Sequence, residues 1–307
     1  MTSKIIDAVI PVYKPGKEVS AMISMLIRQS CPIRRIFIMQ TVEEDEALLD
    51  FGDLEQVSVI PVPVKEFDHG ATRDQGVRLS EADYVLILTQ DAVIRSERLV
   101  EFMVQPFEDP GVCVVFGRQK AKETASEIEK YTRVFNYPRE SSVKEKADIP
   151  RLGIKTFFGS DVLAMYERER YLEIGGFESP AIFSEEMLFT WKAIMAGYKA
   201  AYAGRAYVVH SHDYSGFQQF SRNFDVGVFQ RDHEEIFKTI SSVKEGSALV
   251  KATAIHLLKI GKPWLIISLV YLSGMKFLGY RFGKAYRHLP MWLVKKLTMN
   301  KKYWDHL

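Results

Sequence analysis

Residues 84–92 read YVLILTQDA, an apolar run that ends abruptly in the carboxylate of Asp91. The run is too short to span a membrane, and its Val, Ile and Leu content is typical of a strand buried in a parallel sheet. Ligands of open α/β sheets bind just outside the carboxyl ends of such strands. Asp91 therefore lies where a nucleotide or a metal ion would bind, although a carboxylate here can equally cap a following helix.

Strand-like and helix-like segments alternate on both sides of this run, which predicts a mostly parallel central sheet flanked by crossover helices. Before the run we predict strands at 5–13, 33–39 and 57–62, and helices at 17–30, 43–50 and 72–81. After it we predict strands at 112–117, 156–166 and 200–209, a mixed helix and loop at 119–150, and helices at 184–196 (with Ser184 as N-cap), 217–240 and from 248 onward. The fold class is thus α/β with a helical C-terminal extension.

Length and composition are those of an ordinary globular protein. The chain has 307 residues, of which 47% are hydrophobic and 26% are charged, enough for one large domain or two small ones. Cys31 and Cys113 have neither metal spacing nor a disulfide framework, and residues 1–4 lead straight into a strand-like run without a secretory apolar segment. We therefore expect a cytoplasmic protein.

The C-terminal residues 241–307 differ from the body of the chain in charge. Residues 251–307 contain 11 Lys and Arg but one acid, Asp305, and they interleave these with Trp, Tyr and Leu. This mixture favours a helix at a membrane interface over a nucleic-acid surface. The apolar stretch from Trp264 to Met275 is shorter than the roughly 20 residues of a spanning helix. The alternative is a helical hairpin packed on the main domain or on a second copy of the chain.

Polar clusters occur at four further places, each at an expected strand end or helix start. Residues 10–14 (IPVYK) end the first strand, where a proline removes a ladder hydrogen bond and releases the strand. Residues 67–76 (FDHGATRDQG) form a glycine-bearing loop that opens a helix, the kind of place at which backbone N–H groups bind phosphate. Arg73 could pair with a diphosphate there, or remain solvated. The other clusters are residues 184–188 (SEEML) and 208–214 (VVHSHDY).

Taken in order, these segments resemble the family-2 glycosyltransferases, and within them the bacterial rhamnosyltransferase-like branch. The resemblance covers roughly residues 5–215 and is carried by the stretches AVIPVYKPG, FDHGATRDQG, ILTQDA, KTFFGSDVLAMYERERYLEIGGF, FSEEMLF and VVHSHDYS. No one stretch is specific, but the ordered set is. The resemblance implies a GT-A (nucleotide-diphospho-sugar transferase) fold for residues 1–240 and an inverting transfer from a nucleotide-activated sugar.

The resemblance also implies a donor site. Family members hold a divalent metal ion on an Asp-x-Asp motif, which reads Thr89-Gln90-Asp91 here, so that only the last carboxylate is present. The expected ligands of Mg²⁺ or Mn²⁺ are Asp91 and His210, with His212 as second choice, although both histidines can also simply line a loop. Many members bind the base through an Asp after the second strand, for which Thr41 or a backbone group would substitute. The expected nucleotide-sugar site comprises Pro11, Val12, Tyr13, Thr41, His69, Gly70, Arg73, Gln90 and Asp91.

An acceptor hydroxyl loses its proton as it attacks, and a nearby carboxylate can take that proton. The family's Glu-Asp motif reads Glu185-Glu186 here, so that Glu186 is the expected base and Glu185 the second choice. Acids at this position can also merely stabilise a helix N-terminus. The residues that match the family's acceptor-side segment are Phe158, Asp161, Gly176 and Phe177.

The predicted function is the transfer of rhamnose from dTDP-rhamnose to a lipid-linked glycan at the inner face of the cell membrane. A UDP-hexose is the alternative donor. A nucleotidyltransferase would need a glycine-rich basic loop after the first strand, which IPVYKPG does not supply. A non-catalytic sugar-binding or membrane-binding subunit is favoured by the missing first Asp of the metal motif. It is opposed by the joint presence of Asp91, Glu186 and His210.

Overall fold

Nine strands form one sheet in the computed structural model, which describes residues 4–238 and 243–305. Each long strand is a run of apolar, largely β-branched or aromatic residues, which suit a buried pleated surface. In chain order the strands are β1 Ile6–Tyr13, β2 Arg35–Val42, β3 Val57–Pro63, β4 Tyr84–Leu88, β5 Val93–Ile94, β6 Val112–Lys120, β7 Ser142–Lys144, β8 Leu163–Glu167 and β9 Lys199–Val209.

The helices show the apolar spacing that the sequence analysis used. In the first, Val19, Met22, Ile23 and Leu26 are buried at helical intervals. The described helices are α1 Lys17–Ile27, α2 His69–Leu79, α3 Leu99–Val104, α4 Glu127–Asn136, α5 Ile149–Leu152, α6 Arg168–Ile174, α7 Glu185–Met195, α8 Gly216–Asp232, α9 Glu234–Phe237, α10 Val243–Lys259, α11 Leu265–Lys284 and α12 Met291–Leu297.

The sheet combines a parallel half with a mixed half. Its order is β3-β2-β1-β4-β8-β6-β9-β5, and β7 also pairs with β9. The strands β1 to β4 are mutually parallel, as predicted for the first third of the chain. In the second half β8 runs antiparallel to both neighbours, as β5 and β7 do to β9. Six of the nine described strands (β1 to β4, β6 and β9) therefore run in one direction, and the sheet is mostly parallel, as predicted, with three antiparallel strands.

The sheet opens at the carboxyl end of β1. This strand pairs with β4 only as far as Val9 and Ile87, but with β2 as far as Tyr13 and Thr41. Pro11 lies in the part that has left β4, as expected for a residue that lacks the N–H donor. A gap forms beside the end of β4, where Asp91 follows.

Apolar side chains fill both faces of the sheet. Alternate residues of β1 face opposite clusters: Ile10 packs among residues of α1, whereas Val9 packs among those of α7. A third cluster joins α8 to the C-terminal residues through Phe224, Val294 and Trp304. The C-terminal segment is thus part of the packed body.

Three predicted elements are wrong in detail. Residues 43–50 are not helical, because the Gln40 side chain bonds the backbone of Ala47 at 3.0 Å and of Leu49 at 2.7 Å. Of the predicted strand at 156–166, only the part from Leu163 is extended in the sheet. The helix predicted at 72–81 begins three residues earlier, where Asp68 caps it through a 2.8 Å bond from Ala71 N.

The C-terminal helices pack on the body through glycines. A Cβ on Gly279 would lie 2.1 Å from Phe220 O, and one on Gly283 would lie 2.0 Å from Phe224 O, so that α11 and α8 touch backbone to backbone. The described α10–α12 residues thus form the packed helices that were the alternative prediction. The predicted boundary after residue 240 lies outside the described residues.

The helix α11 is longer than the apolar stretch from Trp264 to Met275 indicated. It has 20 residues and is long and apolar enough to cross a membrane by length and composition alone. Its outer face bears apolar side chains that the body does not cover.

Candidate active site

Asp91 and two histidines converge at the opening of the sheet. His210 Nε2 and His212 Nε2 each lie 3.3 Å from Asp91 Oδ2, and the two Nε2 atoms are 3.0 Å apart. Asp91 follows β4, and the histidines follow β9. The predicted pair of Asp91 and His210 is therefore brought together, and His212 joins it on equal terms.

The arrangement suits a divalent cation. Ligands on adjacent corners of an octahedron lie about 3 Å apart when the metal–ligand bonds are about 2.1 Å long. The separations of the three side-chain atoms match this spacing. Two imidazoles with one carboxylate suit Mn²⁺ better than Mg²⁺, which prefers oxygen ligands alone.

Neighbouring polar groups orient the two histidine rings. His210 Nδ1 contacts Gln119 Oε1 at 3.1 Å, which fixes the ring with its Nε2 facing Asp91. Burial, and then the neighbouring His210, lower the pKa of His212 to about 4, so that His212 is neutral at pH 7. Burial disfavours the Asp91 carboxylate, but the bond from His210 and both histidines outweigh it and hold its pKa well below the usual range.

Gln90, the middle residue of the Thr89-Gln90-Asp91 motif, binds the backbone of β1. Its Oε1 accepts a 2.7 Å bond from Tyr13 N, and its Nε2 donates a 3.1 Å bond to Tyr13 O. An ionised Asp could accept but not donate. Gln90 therefore ties the end of β1 to the end of β4, and leaves metal binding to Asp91 and the histidines.

A second cluster contains Arg73, Asp161, Glu185 and Glu186. Arg73 Nη1 donates a 2.9 Å bond to Glu185 Oε1, and Arg73 Nε lies 3.6 Å from Asp161 Oδ2. The second Asp161 oxygen accepts a 2.6 Å bond from the Tyr166 hydroxyl. Asp161 and Glu185 are thus both used to hold Arg73, while the Glu186 carboxylate has no hydrogen bond or ion pair with any residue in the described part of the chain.

Burial controls ionisation in this cluster. Burial raises the pKa of Asp161 to about 7, although Arg73 opposes the shift. Burial, and then the charges of Glu185 and Asp161, raise the pKa of Glu186 well above its usual range. A carboxylate with a raised pKa is a stronger base, which is the property that proton abstraction needs.

The buried Tyr137 adjoins the histidine cluster. Its hydroxyl accepts a 2.9 Å bond from Gln119 Nε2, and Gln119 in turn contacts His210. Burial raises the pKa of Tyr137, with Arg133 opposing and Glu186 adding to the shift. Gln119 thus links Tyr137 to the histidine pair.

The loop before α2, which the sequence predicts to meet phosphate, has its helix N-terminus capped by Asp68. Asp68 accepts bonds from Ala71 N and Ala181 N, each 2.8 Å long, so that the helix N-terminus already has its anion. A Cβ on Gly70 would lie 2.3 Å from Glu178 O, which explains the glycine by packing. His69 follows the same cap and is the residue whose carbonyl accepts from Arg73.

Arg73 and the residues predicted for the acceptor side lie in the packed interior, and their predicted roles stay predictions. Arg73 is 7% exposed, its Nη1 donates to Glu185, and its Nε has no hydrogen-bond partner within the described residues. Phe177 is 6% exposed and packs edge-on against Tyr166 in the core. Gly176, with φ of +70°, follows the Gly175 C-cap of α6, and Phe158 packs beside Tyr137.

Tyr13 is more exposed than Val12 and Thr41, which are also predicted to bind the nucleotide sugar. Tyr13 is 37% exposed, whereas Val12 and Thr41 are at most 2% exposed. The hydroxyl of Thr41 has no hydrogen-bond partner within the described residues. Tyr13 is thus the side chain at this edge that a ligand can reach.

The sequence analysis missed Arg222 of α8. Its guanidinium lies 4.7 Å from the Phe183 ring centroid and 5.9 Å from that of Tyr214, and Tyr214 stacks on His212 at 5.1 Å. Arg222 makes no hydrogen bond or ion pair with another described residue. A lone arginine in a helical stretch gave no sequence signal, because its stacking partners lie on other segments.

A polar cavity of about 330 Å³ adjoins His212. It lies between the segment after β6 and the segment after β9, and hydroxyl, carboxylate, amide and aromatic groups line it. The lining residues include Lys122, Thr124, Ser211, Asp213, Tyr214 and Gln218. Such a lining suits a sugar, which presents hydroxyls at its rim and C–H groups on its faces.

Comparison with known proteins identifies relatives of this chain. The family model described as Glycosyl transferase family 2 matches residues 7–175. The chain is 34% identical to the O-antigen chain rhamnosyltransferase RfbN of Salmonella typhimurium over 98% of this chain and 96% of that protein. It is 37% identical to the O-antigen chain rhamnosyltransferase WbaN of Salmonella anatum over 81% of this chain and 80% of that protein.

A solved structure extends the similarity to the fold. The mannosyltransferase PcManGT from Pyrobaculum calidifontis, solved in complex with GDP-Man and Mn²⁺, superposes with a TM-score of 0.56. The match covers 99% of this chain and 86% of that chain at 12% identity, so it shows a shared glycosyltransferase fold and no more.

Proposed function

The chain belongs to glycosyltransferase family 2, and we propose that it transfers rhamnose from dTDP-rhamnose, with inversion, to a glycan acceptor during surface polysaccharide synthesis. The two similar Salmonella proteins, both named O-antigen chain rhamnosyltransferases, support rhamnose as the sugar. The observation that carries the catalytic part is the unpaired, half-buried carboxylate of Glu186, which lies beside Glu185, the residue that pairs with Arg73.

The proposed reaction is a single displacement. An acceptor hydroxyl oxygen attacks the anomeric carbon of the donor sugar from the face opposite the diphosphate, and its proton passes to Glu186. The bond between the anomeric carbon and the diphosphate oxygen breaks, and its electron pair leaves with dTDP. Glu186 suits this step because its raised pKa makes it a stronger base than an exposed glutamate.

The leaving diphosphate needs positive charge. A bound Mn²⁺ or Mg²⁺, held by Asp91, His210 and His212, would neutralise that charge as a Lewis acid. Arg222 supplies a second, protein-borne charge, because its guanidinium stacks beside Tyr214 and retains all its donors for a ligand. Arg222 thus takes the role that the sequence analysis gave to Arg73.

We place the transferred sugar or the acceptor end in the 330 Å³ cavity beside His212. Its Tyr214 ring offers a stacking face, and Asp213 and Lys122 offer polar groups. The cavity adjoins the candidate metal ligand, so a ligand there would lie next to the diphosphate.

We also propose that the acceptor is lipid-linked and that α11 and α12 hold the enzyme on the cytoplasmic face of the membrane. Ile267, Val270 and Leu278 of α11 are 78%, 63% and 47% exposed, and Tyr271, whose ring reaches Gly216 of α8, is 58% exposed. Trp292 of α12 is 67% exposed. Several large apolar side chains exposed next to one another on a monomer are typical of an interaction site.

The charge of the same segment favours anionic lipid as its partner. Residues 251–307 hold 11 Lys and Arg and one acid. Basic residues around an exposed apolar helix face attract the anionic surface of a cytoplasmic leaflet. Because the opposite face of α11 is packed against α8, we favour a helix lying in the interface over one that spans the bilayer.

A donor panel tests the proposed transfer. The purified protein is incubated with Mn²⁺, a lipid-linked glycan acceptor and dTDP-rhamnose, UDP-glucose or UDP-galactose, and the glycan mass is measured. Addition of 146 Da from dTDP-rhamnose, on the order expected for a deoxyhexosyl residue, supports the proposal. Transfer from a UDP-hexose instead would replace the donor, and absence of transfer together with absence of nucleotide binding would refute the enzymatic function.

A further inference from the structure

The C-terminal residues 298–305 return to the sheet and are fixed there by Asp225 of α8. One oxygen of Asp225 accepts from the Thr298 hydroxyl at 2.5 Å, and the other accepts from Met299 N at 3.0 Å and from Asn300 N at 3.1 Å. Trp304 is 5% exposed and packs on Tyr286 with ring centroids 5.4 Å apart. This segment therefore has a defined position on the body.

The ammonium group of Lys302, in this segment, lies at the carboxyl ends of β1 and β3, where the nucleotide-sugar donor is predicted to bind. Lys302 Nζ lies 5.4 Å from the centroid of the Tyr13 ring and 5.8 Å from that of Phe67. It also donates a 3.4 Å bond to Val64 O, one residue beyond β3. A residue that is 289 positions away from Tyr13 in the chain thus covers the end of β1.

A second ammonium group meets the same ring. Lys14 Nζ lies 5.1 Å from the Tyr13 centroid. Lys14 has a φ of +47°, a left-handed conformation that is costly for a residue with a Cβ, and it directs the chain sharply at the end of β1. The Tyr13 hydroxyl donates a 3.2 Å bond to Glu43, which orients the ring, and the two ammonium groups beside the ring are donors that an electron-rich ligand can meet.

The strand order indicates which part of the donor would lie there. Tyr13, Thr41 and Val62 are neighbours in register at the carboxyl ends of β1, β2 and β3, whereas Asp91 follows β4 on the other side of β1. Gln90 connects the two places through its bonds to the Tyr13 backbone. A diphosphate at Asp91 therefore directs the nucleoside past Gln90 toward Tyr13 and Lys302.

We propose that Lys302 is a specificity residue of the donor site, in which its ammonium group donates to a carbonyl oxygen of the nucleotide base at Tyr13. The inference rests on the proposed function, because it requires a nucleotide-sugar donor. Lysine has three donors and no acceptor, so it favours bases with carbonyl oxygens on their edge, such as thymine and uracil. The C-terminal segment then acts in donor recognition, in addition to the membrane contact of α11 and α12.

The test compares Lys302→Met with Lys301→Met, a matched control in the same segment whose side chain is exposed. Binding of dTDP, ADP and inorganic pyrophosphate is measured by calorimetry in the presence of Mn²⁺. Lys302→Met is expected to weaken dTDP binding about tenfold and to leave pyrophosphate binding unchanged, since one hydrogen bond to a charged group is lost. Lys302→Arg, which keeps donors, should retain most of the affinity and the preference for dTDP over ADP.

The outcomes separate this inference from the proposed function. If the wild type binds dTDP and Lys302→Met binds it equally well, the inference fails and the function stands. The inference also fails if Lys301→Met has the same effect, or if pyrophosphate binding falls in parallel, since either would indicate general charge. If the wild type binds no nucleotide with Mn²⁺, both fail. Equal melting temperatures for the variants establish that the fold is intact.

Discussion

Arg73 and Glu185 form a buried ion pair in which Nη1 and Oε1 are 2.9 Å apart and the side chains are 8% and 7% exposed. The pair joins the start of α2 to the start of α7, and Asp161 completes it from the segment before β8. Three segments that are distant in sequence are thereby fixed around one guanidinium. Glu186, the next residue of α7, is positioned by this contact.

Removing the guanidinium should unfold the protein more easily. We expect Arg73→Met to lower the free energy of unfolding by about 3–5 kcal/mol, because it leaves two buried carboxylates without their partner. The control is Arg78→Met, which breaks the exposed pair with Asp74 on the same helix and should cost less than about 1 kcal/mol. Urea denaturation measures both. A stable Arg73→Met that no longer binds dTDP would restore its predicted diphosphate role.

Substituting the free carboxylate should remove turnover and spare binding. Glu186→Gln is expected to lower kcat by about 10²–10⁴-fold, as for the loss of a general base, with the Kd of dTDP unchanged. Glu235→Gln, an exposed acid of α9, is the control and should have wild-type activity. Full activity of Glu186→Gln would exclude Glu186 as the base and would leave Glu185 as the candidate.

The pH dependence should report the raised pKa of Glu186. A carboxyl group acts as a base only when it is ionised, and burial, followed by the charges of Glu185 and Asp161, raises this pKa well above its usual range. We therefore expect kcat to rise with pH and to be low near about pH 5, where an ordinary glutamate is already ionised. A pH profile at saturating donor measures this. A kcat that is constant down to about pH 5 would contradict the assignment.

Each of the three candidate ligands should contribute to metal affinity. His212→Ala and His210→Ala are expected to weaken Mn²⁺ binding by at least tenfold, and Asp91→Asn by more, because it removes the only carboxylate among the three ligands. Calorimetry with Mn²⁺ alone measures this without turnover. His288→Ala, at an exposed position, is the control. Unchanged affinity in His212→Ala would return the site to the predicted pair.

The apolar face should partition onto anionic vesicles. We expect the double substitution Ile267→Ser and Trp292→Ser to weaken binding to phosphatidylglycerol vesicles at least tenfold, since it removes two large exposed apolar side chains. Leu48→Ser and Leu54→Ser, which are 43% and 40% exposed elsewhere on the body, form the control. Vesicle sedimentation measures binding. If the wild-type protein does not bind vesicles and light scattering gives the mass of a dimer, the apolar face binds a second copy of the chain instead.

Local sequence pattern was sufficient for the parallel half of the fold. The strands β1 to β4 and the helices α1 and α7 are each marked by a periodic apolar run, and their alternation predicts their parallel order. The mixed half was not predictable in this way, because the direction of β8 depends on long-range pairing with β4 and β6. The loop at 43–50 was misread since a side chain of β2 holds its backbone.

The structure brings together predicted residues that directly follow strand ends. Asp91 follows β4 and His210 follows β9. The ion pairs of Arg73 were not predictable, because a sequence does not reveal that a cation is buried between two acids. Arg222 and Lys302 were missed because their neighbours are rings from distant segments. The residue types in the sequence predicted the chemistry of the site. The partner of each charged side chain could be identified only from the three-dimensional structure.

The glycine contacts between α8 and α11 have a mechanical consequence. At Gly227, Gly279 and Gly283 the backbones of the two helices are in direct contact. Close backbone packing at these points restricts movement of one helix relative to the other. Asp225 and Arg222 are on the same α8. When α11 and α12 bind the membrane as proposed, the bilayer surface would therefore fix the height and the tilt of the catalytic opening relative to the membrane.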